Sequence, residues 1–183
     1  MKRRTAIRDM IIFAGGVTLL PSCIGHPEKA SIALKNIDIS AGQEQLLAAI
    51  ASTIIPKTDT PGASEVGSHL FVLKMLDDCY EKDVQDKFVT GLDQLEKATE
   101  KRFGNSFVKC TDEQKEKMLL AVECKEAYPA EVFDFYEIMK KRTIQGYMTS
   151  KFVVVDIKHY SLIPTVPYDG YYPISKKTDK TAG

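Results

Sequence analysis

The chain has 183 residues, with 25 acidic and 25 basic side chains, a formal net charge of zero and no tryptophan. This length suits one globular domain, and the balanced charge gives no electrostatic reason to expect a nucleic-acid partner. We therefore expect a single domain that binds no nucleic acid.

Residues 1–22 have the organisation of an export signal. A basic start is followed by an apolar run from Met10 to Leu20, about half of the roughly 20 residues that a membrane-spanning helix needs. We therefore interpret the run as a targeting segment and not as a membrane span. Arg3 and Arg4, before a weakly hydrophobic stretch, resemble a twin-arginine signal, which exports proteins that are already folded.

The sequence Leu20-Pro21-Ser22-Cys23 resembles a bacterial lipobox, in which the cysteine is diacylated and becomes the new N-terminus. The alternative is an uncleaved apolar N-terminus with a chance cysteine. Each buried methylene of an acyl chain contributes about 0.8 kcal/mol, so two or three chains hold a soluble domain on a membrane. We expect a membrane-anchored lipoprotein of the bacterial periplasm, in which residues 23–39 form a tether without sustained periodicity.

Export also places the remaining three cysteines in an oxidising compartment, where disulfides persist. Cys79, Cys110 and Cys124 are odd in number, so at most one internal disulfide forms and one thiol remains or pairs with a partner. The sequence does not select the pairing. The spacings match no zinc or haem motif, so we predict no metal site.

Residues 40–175 predict a domain of about five helices. The first helix covers 41–54, because Ser40 and Gln43 form a capping-box pattern and Pro56 stops the run. A second helix runs from Ser64, its predicted cap, to Tyr80.

The third helix covers 83–103 and ends at Gly104, with a charged outer face that includes Glu96 and is predicted to be solvated. The fourth starts after Thr111 and runs toward Cys124, and the fifth follows Pro129 and runs to about Ser150. Apolar spacing predicts the inner faces of the five helices: Leu46, Leu47, Ile50, Ile54, Val66, Leu70, Leu73, Leu76, Tyr80, Val84, Phe88, Leu92, Leu95, Ala98, Met118, Leu119, Val122, Val132, Phe133, Phe135, Tyr136, Met139, Thr143, Ile144 and Tyr147.

After Ser150 the composition shifts to valine, tyrosine and proline. Residues 152–157 predict one short strand, and the prolines at 164, 167 and 173 prevent regular structure beyond it. So many tyrosines are not typical of a disordered segment, and we expect an arm that packs on its own helices or on another protein. The predicted fold is all-α: a small bundle of about five helices with an extended, Pro/Tyr-rich C-terminal arm and a polar tail over 176–183.

The sequence predicts no catalytic, cofactor-binding or metal-binding residue. No motif for nucleotide, acyl-enzyme or haem chemistry occurs. Asp77-Asp78 and Glu81 cluster near a helix end, where carboxylates are usually solvated. The three histidines are isolated from one another and from other candidate ligands: His26, His69 and His159.

Three stretches resemble the gluconate 2-dehydrogenase subunit 3 family. The first is TIIPKTDTPGASEVG at 53–67, with the helix ending MLDDCY that follows it; the others are GYMTS at 146–150 and PTVPYDGYYPI at 164–174. The resemblance extends over about residues 40–175. Many members carry a cysteine shortly after the glycine that matches Gly170, where this chain has Tyr171 and Tyr172, which argues against a cysteine-based link at that point.

The resemblance implies a non-catalytic small subunit of a membrane-attached dehydrogenase. In such complexes a large flavoprotein of the glucose–methanol–choline type holds FAD and oxidises a sugar, sugar acid or polyol, often with a cytochrome subunit that carries haem c. The small subunit would bring the export signal and take its folded partner across the membrane.

We expect these residues to form the partner interface: Pro56, Thr58, Asp59, Thr60, Pro61, Gly62, Tyr147, Tyr168, Tyr171 and Tyr172. Tyrosine and proline on a rigid surface bury area with little loss of entropy. The alternatives are a free-standing helical lipoprotein that binds a ligand or acts as a scaffold, and an enzyme with an Asp or Cys site of no recognised pattern.

Overall fold

The structure, a computed structural model, describes residues 29–125 and 128–160. Several predictions fall outside these residues: the signal with Arg3 and Arg4, the lipidation site Cys23, His26, and the arm from residue 161 with Tyr168, Tyr171 and Tyr172. They stay predictions.

Two capping boxes set where helices begin, as predicted. Helix α1 spans Ala41–Ile54: the Gln43 backbone N–H donates to the Ser40 hydroxyl at 3.2 Å, and the Ser40 backbone N–H donates to the Gln43 side chain at 3.1 Å. Thr111, the residue before the fourth helix, repeats the arrangement with Gln114 in the first turn of that helix. Each box satisfies backbone donors that the first helical turn would otherwise leave unpaired.

Helix α2 spans Ser68–Cys79, so the predicted start at Ser64 is wrong. Gly67 has a φ of 75°, a left-handed conformation that glycine adopts without steric cost, and the residues before it form turns. Ser64 does not cap the helix; its hydroxyl lies 2.6 Å from the Ser52 hydroxyl of α1.

Helices α3 (Lys82–Phe103), α4 (Asp112–Glu123) and α5 (Ala130–Met148) confirm the remaining predicted helices. Gly104 ends α3 with a φ of 74°, as the sequence indicated. A short 3₁₀ helix, Phe107–Lys109, connects α3 to α4. Its first backbone N–H donates to Glu96 at 3.0 Å, so this carboxylate, predicted to be solvated, is half-buried.

Helix α5 is the centre of the bundle and packs most extensively on α3 and then on α2. Gly91 of α3 makes the closest approach: a Cβ at this position would lie 2.2 Å from the Glu131 carbonyl oxygen. Beside it, the rings of Phe88 and Phe135 meet edge to face with centroids 4.8 Å apart. The missing side chain therefore allows two backbones to touch in the middle of the fold.

The apolar core is formed mainly by residues that helical spacing had placed inside. Burying one such side chain contributes about 1.5–3 kcal/mol. Ile144 is an exception, with 42 % of its surface exposed. The core includes Leu46, Leu47, Ile50, Leu73, Leu76, Phe88, Leu92, Leu95, Phe107, Met118, Leu119, Val122, Val132, Phe135, Tyr136 and Met139.

The described part of the predicted tether, residues 29–39, packs on the helices. Lys29 forms an antiparallel bridge with Ser40, and the Ala30 N–H donates to the Ile39 carbonyl at 2.9 Å. Ile37 and Ile39 are buried in the core. The helical domain therefore includes a segment that has no helical periodicity.

Residues Phe152–Ile157 form a π-helix, so the predicted short strand is wrong. The Lys158 N–H donates to the Val153 carbonyl at 3.0 Å, and only Val153 of the segment is buried. A lone strand would leave its backbone groups without partners, whereas a helical turn satisfies them internally. Every regular element within the described ranges is helical, and none of these helices has the length and apolar character to cross a bilayer.

Candidate functional site

The loop between α1 and α2, residues 55–67, folds back tightly on itself. The Ala63 N–H donates to the Ile55 carbonyl at 2.9 Å and closes its base, and the Thr58 N–H donates to the Thr60 carbonyl at 3.0 Å within its tip. Gly62 is buried against the first residues of the loop, where a Cβ would lie 2.9 Å from the backbone nitrogen of Lys57. A larger residue at this position would therefore push the two sides of the loop apart.

Side chains brace the same loop. Lys57 donates to Glu65 at 2.6 Å, and the other Glu65 oxygen accepts the Gly62 N–H at 3.1 Å. The hydrogen bond from Lys57 is the larger cause, and that from Gly62 the next, of a Glu65 pKa below its ordinary value. The Thr58 and Thr60 hydroxyls lie 3.3 Å apart. The loop tip, residues 56–60, is thus held by its own contacts while it stays exposed.

Tyr147 joins the loop to the end of α5. Its hydroxyl donates to the Pro61 carbonyl at 3.1 Å, across 86 residues of sequence. The neighbouring Gly146 lies under Phe71 of α2, where a Cβ would come within 2.9 Å of the ring. The small residue lets α5 approach α2 closely enough for the tyrosine to reach the loop. The motifs at 53–67 and 146–150 therefore form one continuous surface.

The structure brings together every predicted interface residue that it describes. Pro56, Thr58, Asp59 and Thr60 are exposed at the loop tip, and Tyr147 is half-buried behind them. Pro61 and Gly62 lie toward the base of the loop: the Pro61 carbonyl accepts the Tyr147 hydroxyl, and the Gly62 backbone packs against the first residues of the loop. In the described part of the chain, no hydrogen bond or ion pair engages Asp59.

An open groove that sequence reasoning missed lies beside this loop. It has a volume of about 810 Å³ and separates the loop and the C-terminal half of α1 from the start of α4. We call it the loop groove. Its two walls are about fifty residues apart in sequence, and no local pattern connects them.

Asp77, which the sequence placed in a solvated carboxylate cluster, is buried. It accepts the backbone N–H groups of Lys35, Asn36 and Ile37 at distances from 2.6 to 3.2 Å. Burial by itself raises the pKa of this carboxyl, but the three hydrogen bonds and the nearby Lys74 charge outweigh it and hold the pKa below its usual value. Asp77 is therefore the clamp that fixes residues 35–37 to α2.

Cys79, Cys110 and Cys124, the cysteines within the described residues, are free thiols, and no disulfide joins any two of them. Cys79 and Cys124 are exposed, whereas Cys110 is buried and burial raises the pKa of its thiol. His69 is half-buried, and desolvation lowers the pKa of its imidazole. No three His, Cys, Asp or Glu side chains converge as metal ligands among the described residues.

The model of the family described as gluconate 2-dehydrogenase subunit 3 matches residues 41–165, well over half of the chain. The match begins at the first residue of α1 and includes both the loop and the end of α5. No curated protein and no solved structure matched the chain. On the family match, the chain belongs to the gluconate 2-dehydrogenase subunit 3 family.

Proposed function

We propose that this chain is the non-catalytic small subunit of a periplasmic, membrane-attached, FAD-dependent dehydrogenase. The family is one of small subunits of a dehydrogenase complex. The chain's part is to aid folded export, stability and membrane attachment of a large flavoprotein of the glucose–methanol–choline type. That partner oxidises a sugar, sugar acid or polyol, and a cytochrome with haem c can complete the complex.

One observation carries the proposal: the hydrogen bond from Tyr147 to the Pro61 carbonyl. It unites the two motifs that the resemblance singled out into one surface, although they are far apart in sequence. Of the residues in these two motifs only Ala63 belongs to the main core, and the loop tip 56–60 is exposed throughout. A surface that the chain braces internally but leaves exposed is suited to contact another protein.

The energetics of docking favour this surface. Because the loop tip is already held by internal hydrogen bonds, ordering it on a partner costs little conformational entropy. Ile144 and Met148 add exposed apolar area one turn apart on α5, flanking Tyr147 in sequence, with 42 % and 46 % of their surface exposed. Apolar side chains beside a rigid polar tip resemble the core and rim of ordinary protein interfaces.

Export and attachment rest on the N-terminal sequence. Arg3 and Arg4 suit the route for folded cargo, which a subunit without its own cofactor would use to carry a flavin-loaded partner. Cys23 precedes Lys29, the first described residue, by six positions. Since residues 29–39 pack on the helices, lipid on Cys23 would hold the folded domain close to the membrane.

Purification of the affinity-tagged full chain from a detergent extract of its native host tests the proposal. We expect a large, yellow, FAD-containing protein to accompany it in a fixed ratio. A chain that emerges alone and colourless under gentle conditions would favour the free-standing lipoprotein instead.

Two substitutions separate attachment from export. Cys23→Ala should move the complex into the soluble fraction, and persistent membrane binding would exclude the lipid anchor. Replacing Arg3 and Arg4 by lysine should leave both subunits in the cytoplasm. Export of the flavoprotein without this chain would exclude shared transport.

A further inference from the structure

We propose that the loop groove seats an extended segment of the dehydrogenase partner that carries a basic side chain. This inference rests on the proposed function and specifies where and how the partner binds. The groove shares Pro56 and Lys57 with the exposed loop tip, so a protein docked on the tip passes directly over its opening.

The floor of the groove is suited to a closely approaching backbone. It is lined by small side chains: Ala49, Ser52, Thr53, Gly62 and Ser64. Their hydroxyls are already paired, Ser52 with Ser64 at 2.6 Å and Thr53 with the Ala49 carbonyl at 2.9 Å. A segment that covers the floor therefore buries no unpaired hydroxyl. Burying an unpaired hydroxyl would cost free energy and oppose binding.

The charges of the groove determine what it accepts. Lys57 is paired with Glu65 at 2.6 Å, and Lys115 with Asp112 at 3.4 Å. The third carboxylate, Glu116, has no hydrogen bond or ion pair with any described residue. Two lysines against three carboxylates leave one negative charge, at Glu116. A lysine or arginine of the occupant would complement it.

The openness of the groove favours a protein segment over a small molecule. Its volume of about 810 Å³ falls within the range of ligand pockets, which is about 300–1,000 Å³. Such pockets bury most of a small ligand, whereas most charged residues here lie on exposed walls. Val108 adds an apolar contact at the rim, with 43 % of its surface exposed.

Photo-crosslinking in the purified two-subunit complex identifies the occupant. A benzoylphenylalanine replaces Val108 in the full chain, and the same replacement at Asp86 is the control, because this exposed residue near the start of α3 does not line the groove. We expect the probe at 108, and not the probe at 86, to crosslink the flavoprotein at one extended segment with a basic residue. A crosslink to residues 161–183 of this chain, to a second copy or to no protein would overturn the inference.

A charge reversal tests the contact in the same complex. Glu116→Arg should weaken binding of the flavoprotein at least tenfold, because it places like charges opposite each other. Glu100→Arg, at an exposed position of α3 outside the groove, should leave binding unchanged. If the wild type brings the flavoprotein and Glu116→Arg binds it equally well, the groove is not its seat, although the proposed function stands. If the wild type brings no flavoprotein, both fail.

Discussion

Replacing Asp77 by asparagine removes one negative charge from the clamp that holds residues 35–37 on α2. The carboxylate accepts three backbone N–H groups and is buried. An asparagine keeps one acceptor oxygen but turns its amide group, a donor, toward those same donors. With its oxygen at the Oδ1 position the asparagine still faces all three N–H groups, but its amide then lies where Oδ2 accepted the Lys35 N–H at 2.9 Å, and all three hydrogen bonds lose the carboxylate charge.

The magnitude follows from these contacts. A hydrogen bond to a charged group contributes about 1.5–3 kcal/mol and one to a neutral group about 0.5–1.5 kcal/mol, so each of the three bonds weakens by about 1 kcal/mol when the charge is removed. The neutral asparagine avoids the cost of burying a charge, and this gain offsets part of the loss. We therefore expect Asp77→Asn to lower the free energy of unfolding by about 2–4 kcal/mol at neutral pH, a large share of the roughly 5–15 kcal/mol typical of a domain.

Urea denaturation followed by circular dichroism measures this loss, and its pH dependence tests the cause. Because the pKa of Asp77 is lower in the folded than in the unfolded chain, its stabilisation is present above the unfolded value of about 3.9 and is lost as the pH falls through the folded pKa. The difference between wild type and variant should accordingly be full at pH 7 and shrink in acid.

Asp78→Asn is the matched control. Asp78 is exposed, and its one ion pair with a described residue is with Lys74 at 3.1 Å, a contact of about 0.3–0.5 kcal/mol. Amide exchange in residues 30–39 should accelerate in the Asp77 variant alone. Equal losses in the two variants, or a difference that does not change with pH, would refute the clamp.

Three further predictions follow from the packing. Gly91→Ala should lower the free energy of unfolding, measured by urea denaturation, by at least about 2 kcal/mol, because the added Cβ would lie 2.2 Å from the Glu131 carbonyl oxygen. An unchanged denaturation midpoint would contradict the close helix crossing. Tyr147→Phe should cost about 0.5–1.5 kcal/mol and speed amide exchange in the loop around Pro61, with normal exchange as the opposing result. Burial, and to a smaller extent the Glu123 carboxylate, raise the pKa of Tyr136 to about 12. Ultraviolet titration should therefore show one phenol that ionises near that pH, and this titration step should be absent in Tyr136→Phe. Its contribution to stability is present below about pH 10 and is lost as the pH rises through the folded pKa.

Local signals in the sequence predicted most helix boundaries. Ser40 with Gln43 and Thr111 with Gln114 are short-range capping pairs, and Gly104 ends a helix by its own conformational freedom. The start of α2 was missed because Ser64 looks like a cap, yet the left-handed Gly67 interrupts the chain after it.

Long-range contacts account for the other differences. Residues 29–39 have no periodicity of their own, and their place in the fold depends on Asp77, about forty residues away. The Val-rich segment 152–157 favours a strand locally but has no neighbouring strand within the part of the chain that the structure describes, and it satisfies its backbone as a π-helix.

The candidate site could be predicted in part. The sequence singled out the loop at 53–67 and the motif at 146–150 as separate stretches. Their contact through Tyr147 and the Pro61 carbonyl appears only once α5 lies against α2. The loop groove has the same origin, because α4 closes it from a distant part of the chain.

Hydrogen–deuterium exchange of the full chain, alone and in complex with its flavoprotein, tests the docking surface most directly. Residues 56–61 and 146–150 should become protected together when the partner binds, because Tyr147 makes them one surface. The exposed face of α3 around Lys97 should exchange equally in both states. Protection confined to that face, with the loop and the end of α5 unchanged, would contradict the account.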